Sequence, residues 1–161
     1  MTRRSFAAAA ALLITAAIPA LAQMPGANVA KVSTTAKPAA VKHGGKGVLA
    51  ITVNVAPGFH INANKPNDPD LIPTVFTAEN TPGVKFGAPK YPATKSITVS
   101  YEKKPMLVYQ GKAVILVPYT IAPTAKPGKV VLKGTLGFQG CNDSSCFPPD
   151  SAPVTASVTV K

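Results

Sequence analysis

The amino-acid sequence predicts an all-β fold, a sandwich of about seven to nine short strands. Several segments alternate apolar and polar side chains, as Ile97 and Val99 do with Thr98 and Ser100. Seventeen prolines and twelve glycines interrupt the chain at short intervals. Beyond residue 22 no window shows the 3.6-residue apolar period of an amphipathic helix.

The predicted strands are rich in β-branched residues and end at turn-forming residues. The strand at 48–55, for example, ends at the Ala-Pro-Gly of residues 56–58. Tryptophan is absent and the two cysteines lie close together, so the inter-sheet bridge of antibody domains is not expected. The predicted strands are residues 48–55, 59–62, 71–78, 96–101, 112–121, 129–139 and 153–160, with an earlier one beginning near Val29.

Residues 1–22 have the pattern of a cleaved export signal. Arg3 and Arg4 precede an apolar run at 6–18, and Ala20-Leu21-Ala22 reads as a small-residue cleavage site. The run is too short for the roughly 20 residues that span a bilayer, which disfavours the alternative of an uncleaved anchor. The remaining residues 23–161 are predicted to form one domain, with 23–28 a flexible arm and no segment that could cross a membrane.

The export route is less clearly marked. Residues 2–6, TRRSF, resemble a twin-arginine signal, but Ala7 stands where an apolar residue larger than alanine is usual. The general secretory route is therefore slightly favoured. Either route predicts a periplasmic location.

The chain after residue 22 is basic, with 15 lysines against six acidic residues. These lysines are scattered, and Lys103-Lys104 is the one adjacent pair. A nucleic-acid site would cluster basic residues and use arginine, so no nucleic-acid partner is expected. The distribution favours solvated lysines that protect sheet edges, with steering toward an acidic partner as the alternative.

Cys141 and Cys146 are the two cysteines of the chain, and they flank the turn-favouring residues 142–145. Such a connection brings its flanking positions close enough for a disulfide, which an oxidising compartment would maintain. A six-residue ring restrains the unfolded chain by only about 2 kcal/mol, against about 4.7 kcal/mol for a 100-residue loop. The bond is therefore a weak staple, which favours a redox role without excluding a structural one.

The surroundings of the cysteines predict modest reactivity. Pro148-Pro149 disfavour a helix starting at Cys146, and Asp143 disfavours a thiolate. A metal site would need further ligands, and His43, His60, Met24 and Met106 are distant in sequence. No metal and no cofactor are therefore expected.

Other polar residues have structural interpretations. The loop at 43–46 lacks the spacing of a phosphate loop and is predicted to be a turn. Asp68 and Asp70, on either side of Pro69, are predicted to be turn residues. His60, Asn62 and Asn64 are expected to satisfy backbone groups at a strand–loop junction.

Two separated motifs resemble the N-terminal domain family of the thiol:disulfide interchange protein DsbD. The first is GFQGCND at 137–143 with CFPP at 146–149, and the second is GFHINANKP at 58–66 with LIPT at 71–74. Tyr109 also fits the family pattern, and the resemblance extends over roughly residues 30–160.

The resemblance implies an immunoglobulin-like sandwich in the periplasm. It implies that Cys146 forms a mixed disulfide with a partner and that Cys141 resolves it. A cap loop at about residues 100–107 would shield the pair, with Tyr101, Glu102 and Met106 as candidate residues. The sequence lacks the usual aromatic residue at the cap tip, and Tyr101 or Met106 would take its place.

The predicted function is an exported thiol–disulfide exchange protein that passes reducing equivalents through the Cys141–Cys146 pair. The resemblance implies a membrane thiol transporter or a thioredoxin-like protein as electron donor, and oxidised periplasmic proteins as clients. The alternative is a non-catalytic binding module in which the disulfide only stiffens its loop.

Overall fold

The computed structural model describes residues 29–161. The predicted export signal and the arm at 23–28 lie outside the described residues. Twelve strands run through the described part of the chain, and it contains no helix. The strands are β1 (Ala30–Lys37), β2 (Ala40–Val41), β3 (Lys46–Val55), β4 (His60–Asn62), β5 (Val75–Ala78), β6 (Val84–Phe86), β7 (Lys95–Ile97), β8 (Met106–Tyr109), β9 (Lys112–Ile121), β10 (Gly128–Phe138), β11 (Gly140–Cys141) and β12 (Asp150–Val160).

Two four-stranded sheets form the body of the molecule. The first has the order β1-β3-β9-β6, with every neighbouring pair antiparallel. The second has the order β2-β12-β10-β5, in which only the β2–β12 pair is parallel. At one edge the Thr34 hydroxyl of β1 donates a hydrogen bond to the Thr155 carbonyl of β12, which joins the two sheets.

The hydrophobic core lies between these sheets because strands present alternate side chains to opposite faces. In β3 and β9 the alternation brings Ile51 opposite Ile115, and both are buried. From the second sheet, Leu132 and Leu136 of β10 and Val154 of β12 enter the same cluster. The fold is an immunoglobulin-like β-sandwich, which confirms the predicted all-β class.

Exposed lysines stand on edge strands, as the charge distribution favours, but also on inner strands, namely Lys46 on β3, Lys112 on β9, and Lys129 and Lys133 on β10. Lys31 and Lys37 lie on β1, and Lys85 lies on β6, at the two edges of the first sheet. Lys95 lies on β7, an edge of the third sheet described below. Lysine at an edge opposes pairing with another chain because the charge would have to lose its water.

The predicted number of strands, seven to nine, is too low. Five strands contain only two or three residues, namely β2, β4, β6, β7 and β11. Strands of two or three residues are too short to show an alternation of apolar and polar side chains in the sequence. They form because neighbouring strands or loops supply their hydrogen bonds.

Two strands begin or end four residues away from their predicted bounds. The strand predicted at 71–78 begins only at Val75 because Thr74 is held in a loop, its hydroxyl bonded to the carbonyl of Asn62. The strand predicted at 96–101 ends at Ile97, and residues 98–105 form a turn-rich loop. The apolar Val99 is buried in a small cluster of that loop, so its alternation does not reflect a strand.

A third, smaller sheet carries the cysteine region. Its order is β11-β4-β8-β7, all antiparallel, and it includes Cys141. Beside it lies a separate cluster of Val99, Met106 and Val108, against which Leu71, Ile97 and Tyr101 pack. The loop at 98–105 therefore packs on this small apolar cluster, which is separate from the main core.

Candidate functional site

Cys141 and Cys146 form a disulfide, as predicted, with their Cα atoms 4.0 Å apart. The two residues differ in burial: Cys141 is fully buried in β11, whereas Cys146 is partly exposed. A molecule in solution can therefore approach this bond only from the side of Cys146.

The loop between the cysteines is shaped by the side chain of Asn142. Its Oδ1 atom accepts hydrogen bonds from the backbone amides of Ser144 and Ser145, each at 2.9 Å. The amide of Asn142 donates to the Ser145 carbonyl, and the amide of Phe147 donates to the Gly140 carbonyl. Asparagine favours such turns because its short side chain reaches the backbone two and three residues ahead. The turn thus has hydrogen bonds independent of the disulfide.

Strand β11 anchors the loop by pairing with β4, where Cys141 lies opposite His60. Gly140 is required at the start of this pairing because a Cβ atom there would lie 2.5 Å from Cγ1 of Val29. The ring of Phe147 packs near that of Phe59, with centroids 5.9 Å apart. The far side of the loop is therefore also attached to the segment that begins β4.

Of the three polar residues predicted to satisfy backbone groups around β4, Asn62 does so with its side chain. Among the described residues, the side chains of His60 and Asn64 contact tyrosine hydroxyls instead. The side-chain amide of Asn62 donates to the Ile72 carbonyl at 3.0 Å and to Oε1 of Gln139 at 3.2 Å. Gln139 in turn donates to the carbonyl of Phe147 at 3.0 Å. Oδ1 of Asn62 is buried without a hydrogen-bond partner among the described residues. This network links β4, the loop at 71–74 and the cysteine loop.

Asn64 is held by a side chain rather than by the backbone alone. The hydroxyl of Tyr109 donates to Oδ1 of Asn64 at 2.8 Å and lies 3.3 Å from the Asn64 backbone amide. Two further structural interpretations are confirmed: Oδ1 of Asp68 accepts from the amide of Asp70, and residues 43 and 44 form a turn just before β3 begins at Lys46.

The loop at 98–105, which we call the cap loop, lies on the cysteine loop. The Tyr101 hydroxyl donates to the Asn142 carbonyl at 3.2 Å and stands 3.6 Å from Sγ of Cys146. The Ser100 hydroxyl donates to the Asp143 carbonyl at 2.9 Å. Two hydroxyls from one loop thus meet two successive carbonyls of the other.

The three candidate cap residues occupy different places. Tyr101 lies at the contact with Cys146, and Glu102 beside it is partly exposed. Met106 lies in β8 and is buried in one cluster with Val108 of the same strand and Val99 of the cap loop. It therefore supports the cap loop from below. The other end of the cap loop is held by Asn67, whose side-chain amide donates to the Pro105 carbonyl at 2.6 Å.

His60 has a partner that the sequence analysis did not predict. Its side chain is buried, and its Nε2 atom lies 3.4 Å from the Tyr101 hydroxyl. Because the two residues are 41 positions apart, no local spacing indicated this contact. The motif G-F-H-I-N at 58–62 marked His60 as part of the family pattern, but nothing in it indicated a contact with the cap loop.

The electrostatic environment keeps both groups neutral. Burial lowers the pKa of His60, and the charge of Asp143 acts in the opposite direction. Burial raises the pKa of Tyr101, and the carboxylates of Glu102 and Asp143 raise it further. At neutral pH the site therefore presents a protonated phenol and an uncharged imidazole beside the disulfide.

Within residues 29–161, no three His, Cys, Asp or Glu side chains come together in a group that could hold a metal ion. In the same part of the chain there is no helix long and apolar enough to cross a membrane.

The sandwich and its loop disulfide place the protein among immunoglobulin-like domains with a cysteine pair at one end. Residues 27–157 match the family model described as "Thiol:disulfide interchange protein DsbD, N-terminal". The chain belongs to this family, which confirms the resemblance of its two motifs. None of the curated proteins matches the chain.

Solved structures with a similar fold have low sequence identity. The N-terminal periplasmic domain of ScsB from Proteus mirabilis is 14% identical, with a TM-score of 0.53 over 83% of this chain and 48% of that one. The protein described here thus spans about half the length of that ScsB chain. The reduced N-terminal domain of DsbD from Neisseria meningitidis is 19% identical, with a TM-score of 0.45 over 69% of this chain and 77% of that one.

Proposed function

We propose that the protein is an exported thiol–disulfide exchange protein, which passes reducing equivalents through Cys141 and Cys146 to oxidised proteins of the periplasm. The main support is the unequal burial of the two cysteines, because it offers one sulfur to a partner and withholds the other. Membership of the DsbD N-terminal family and the export-signal pattern of residues 1–22 support the reaction and the compartment.

The first half of the reaction reduces the protein. A thiolate of the electron donor attacks Sγ of Cys146, the Cys141–Cys146 bond breaks, and Cys141 leaves as a thiolate that takes up a proton. The donor's second thiol then attacks the donor sulfur that is bonded to Cys146, and Cys146 leaves as a thiolate that takes up a proton. The donor becomes a disulfide, and two electrons and two protons reside on Cys141 and Cys146. A membrane thiol transporter or a thioredoxin-like protein is the proposed donor.

The second half reduces a client. The Cys146 thiolate attacks a disulfide of the client, and the client's leaving sulfur takes up a proton. Cys141 then attacks Cys146, which releases the second client sulfur and restores the Cys141–Cys146 bond. Cys146 is thus the proposed cysteine of the mixed disulfide, and Cys141 the resolving one.

The reduction potential of the Cys141–Cys146 pair tests this function. The protein is equilibrated in glutathione or dithiothreitol buffers, and free thiols are trapped by alkylation. We expect a value between about −180 and −270 mV, the range of working exchange proteins. A value below about −300 mV marks a structural disulfide and contradicts the proposal.

Trapping distinguishes the roles of the two cysteines. Cys141→Ser leaves Cys146 able to attack but removes the resolving thiol, so mixed disulfides with partner proteins should accumulate in periplasmic extracts. Cys146→Ser is the matched control and should accumulate none, because its remaining cysteine is buried. Accumulation with Cys146→Ser instead would reverse the assigned roles.

A non-catalytic binding module is the second candidate. It is favoured by the hydrogen bonds of Asn142, which hold the loop as a rigid turn whatever the state of the sulfurs. For such a module, Cys146→Ser should bind the same partner as strongly as the unaltered protein does. For an exchange protein, the same substitution abolishes the covalent complex.

A further inference from the structure

The Tyr101 hydroxyl stands among three possible hydrogen-bond partners. Its oxygen lies 3.2 Å from the carbonyl of Asn142, 3.4 Å from Nε2 of His60 and 3.6 Å from Sγ of Cys146. A phenol has one proton to donate and can also accept a hydrogen bond. The three partners therefore compete for a single proton, and the chemical state of the sulfur affects which one receives it.

In the disulfide state the carbonyl of Asn142 is the better acceptor, because a bonded sulfur accepts hydrogen bonds only weakly. When the bond opens and Cys146 becomes a thiolate, the sulfur carries a full negative charge. Hydrogen bonds to charged acceptors are roughly twice as strong as those between neutral groups. The same hydroxyl can then turn from the carbonyl to the sulfur without movement of the tyrosine ring.

We infer that the Tyr101 hydroxyl, oriented by His60, donates a hydrogen bond to the Cys146 thiolate in the reduced protein and stabilises it for attack on a client. This inference rests on the proposed exchange function and goes beyond shielding of the disulfide, because it gives the hydroxyl a second acceptor in the reduced protein. Tyr101 acts on the reacting sulfur, whereas His60 is a positioning residue.

The charges around the site explain why such a donor is needed. Asp143 lies within the cysteine loop and Glu102 within the cap loop, and both carboxylates disfavour a neighbouring thiolate. His60 cannot offset them as a cation because burial keeps its imidazole neutral. A neutral donor beside the sulfur is therefore the stabilising group that the site offers. The same carboxylates keep the Tyr101 proton in place for this purpose.

His60 contributes through the orientation of the phenol. In the tautomer with a proton on Nε2, its ring donates to the Tyr101 oxygen and leaves the phenol proton free to point at Asn142 or at the sulfur. Chains of hydrogen bonds of this kind polarise one another, so a donor behind the hydroxyl makes the hydroxyl a better donor.

The test is the pH dependence of Cys146 alkylation by iodoacetamide in the reduced protein, with the labelled cysteine identified by mass spectrometry. Tyr101→Phe keeps the ring and removes the hydroxyl. We expect the midpoint of its pH–rate profile to rise by about one unit, so that the rate below the midpoint falls about tenfold. At a pH above both midpoints, where Cys146 is a thiolate in either protein, the reduction potential should also fall, by about 30 mV for a tenfold change in equilibrium constant.

Tyr91→Phe is the matched control. It also loses a tyrosine hydroxyl that is hydrogen-bonded to the backbone, here as the acceptor from the amide of Phe76, but no cysteine is its partner. Its pH–rate profile should coincide with that of the unaltered protein. An unchanged midpoint in Tyr101→Phe overturns the inference, as does an equal shift in Tyr91→Phe. A rate altered by the same factor at every pH also overturns it, because that pattern reports access to the sulfur alone.

His60 is tested by two substitutions. His60→Ala removes the group behind the hydroxyl and should raise the midpoint in the same direction as Tyr101→Phe. His60→Gln offers an amide near the position of Nε2 and should restore part of the difference. If neither variant differs from the unaltered protein, His60 has no positioning role.

This inference and the proposed function can fail separately. The alkylation profile is measured on protein reduced by an added reductant, so it reports the contact between hydroxyl and thiolate whatever the natural partner. A reduction potential typical of a structural disulfide would contradict the exchange function, but the contact between the hydroxyl and the thiolate could still be measured. A reduction potential typical of exchange proteins would support the exchange function. If the pH–rate profile of Tyr101→Phe were then unchanged, only the role of Tyr101 would be contradicted.

Discussion

His60 shows how burial gives a single side chain a chemical role. In the unfolded chain its imidazole would titrate near its ordinary value, whereas in the fold it lies beneath Tyr101 and almost without exposure. Removing the ring from water disfavours its charged form, and the nearby Asp143 only partly opposes this effect. The result is an uncharged donor or acceptor inside a site surrounded by carboxylates.

This depressed pKa predicts a pH dependence of stability. As pH falls through about 6.5, the unfolded chain takes up a proton at His60 before the folded protein does. The stabilising contribution is therefore complete above about pH 6.5 and is lost progressively below it, by at most about 1.4 kcal/mol per pH unit.

The measurement is the free energy of unfolding in denaturant at about pH 7.5 and pH 5.5. Between these values it should decrease more in the unaltered protein than in His60→Gln, which has no titratable group at that position. Equal decreases in the two proteins would show that His60 does not carry this dependence.

Among the elements, the cap loop packs outside the main core of the molecule. It has its own small cluster of Val99, Met106 and Val108, separate from the main core. Hydrogen bonds hold it at its two ends, from Ser100 to the Asp143 carbonyl and from Asn67 to the Pro105 carbonyl. A partner thiolate that approaches Cys146 has to displace Tyr101, so the strength of these attachments controls access.

Loss of one attachment should make the disulfide easier to reach. Asn67→Ala removes the hydrogen bond to Pro105, whose net contribution is about 1 kcal/mol. If that energy acts on opening of the cap loop, reduction of the disulfide by dithiothreitol should become about fivefold faster. The measurement is the rate at which free thiols appear after the reductant is added.

Asn54→Ala is the control for this change. Asn54 is an exposed asparagine on β3, in the first sheet, and its truncation should leave the reduction rate unaltered. The free energy of global unfolding should fall by about 1 kcal/mol in Asn67→Ala and stay unaltered in Asn54→Ala. A reduction rate for Asn67→Ala that matches that of Asn54→Ala would show that the Asn67 attachment does not limit access to the disulfide.

At the scale of the whole molecule, the fold of the sandwich does not rely on the cysteine pair. Most core residues face inward from the two larger sheets, and the disulfide closes a ring of only six residues in the third. The hydrogen bonds of Asn142 and the pairing of β11 with β4 do not require the bond between the sulfurs. The protein can therefore change redox state without losing its fold.

This independence predicts that the reduced protein remains folded. Reduction should lower the free energy of unfolding by about 2 kcal/mol, the chain-entropy value for so short a ring. Parallel denaturant titrations of the oxidised and reduced forms measure the difference. Unfolding of the protein on reduction alone would contradict this account and would mark the disulfide as structural.

The sequence by itself determined the fold class and the bonded loop. Alternation in segments such as β3 and β9 is a local property, because successive side chains of any strand face opposite sides. The disulfide was predictable for the same reason, since five positions separate the cysteines and the residues between them favour a turn. The family was readable from two motifs because their residues are contiguous in the chain.

Only the tertiary structure decided what surrounds the disulfide. Tyr101 is 45 residues from Cys146 and 41 residues from both His60 and Asn142. Strands of two to four residues bring these groups together, and such strands are too short to show a period or a register in the sequence. Their pairing follows from hydrogen bonds to neighbours that exist only once the chain has folded. The cysteine loop and its disulfide therefore follow from the local sequence. The burial of the disulfide, the cap loop over it and the neutral His60 behind Tyr101 follow from tertiary packing.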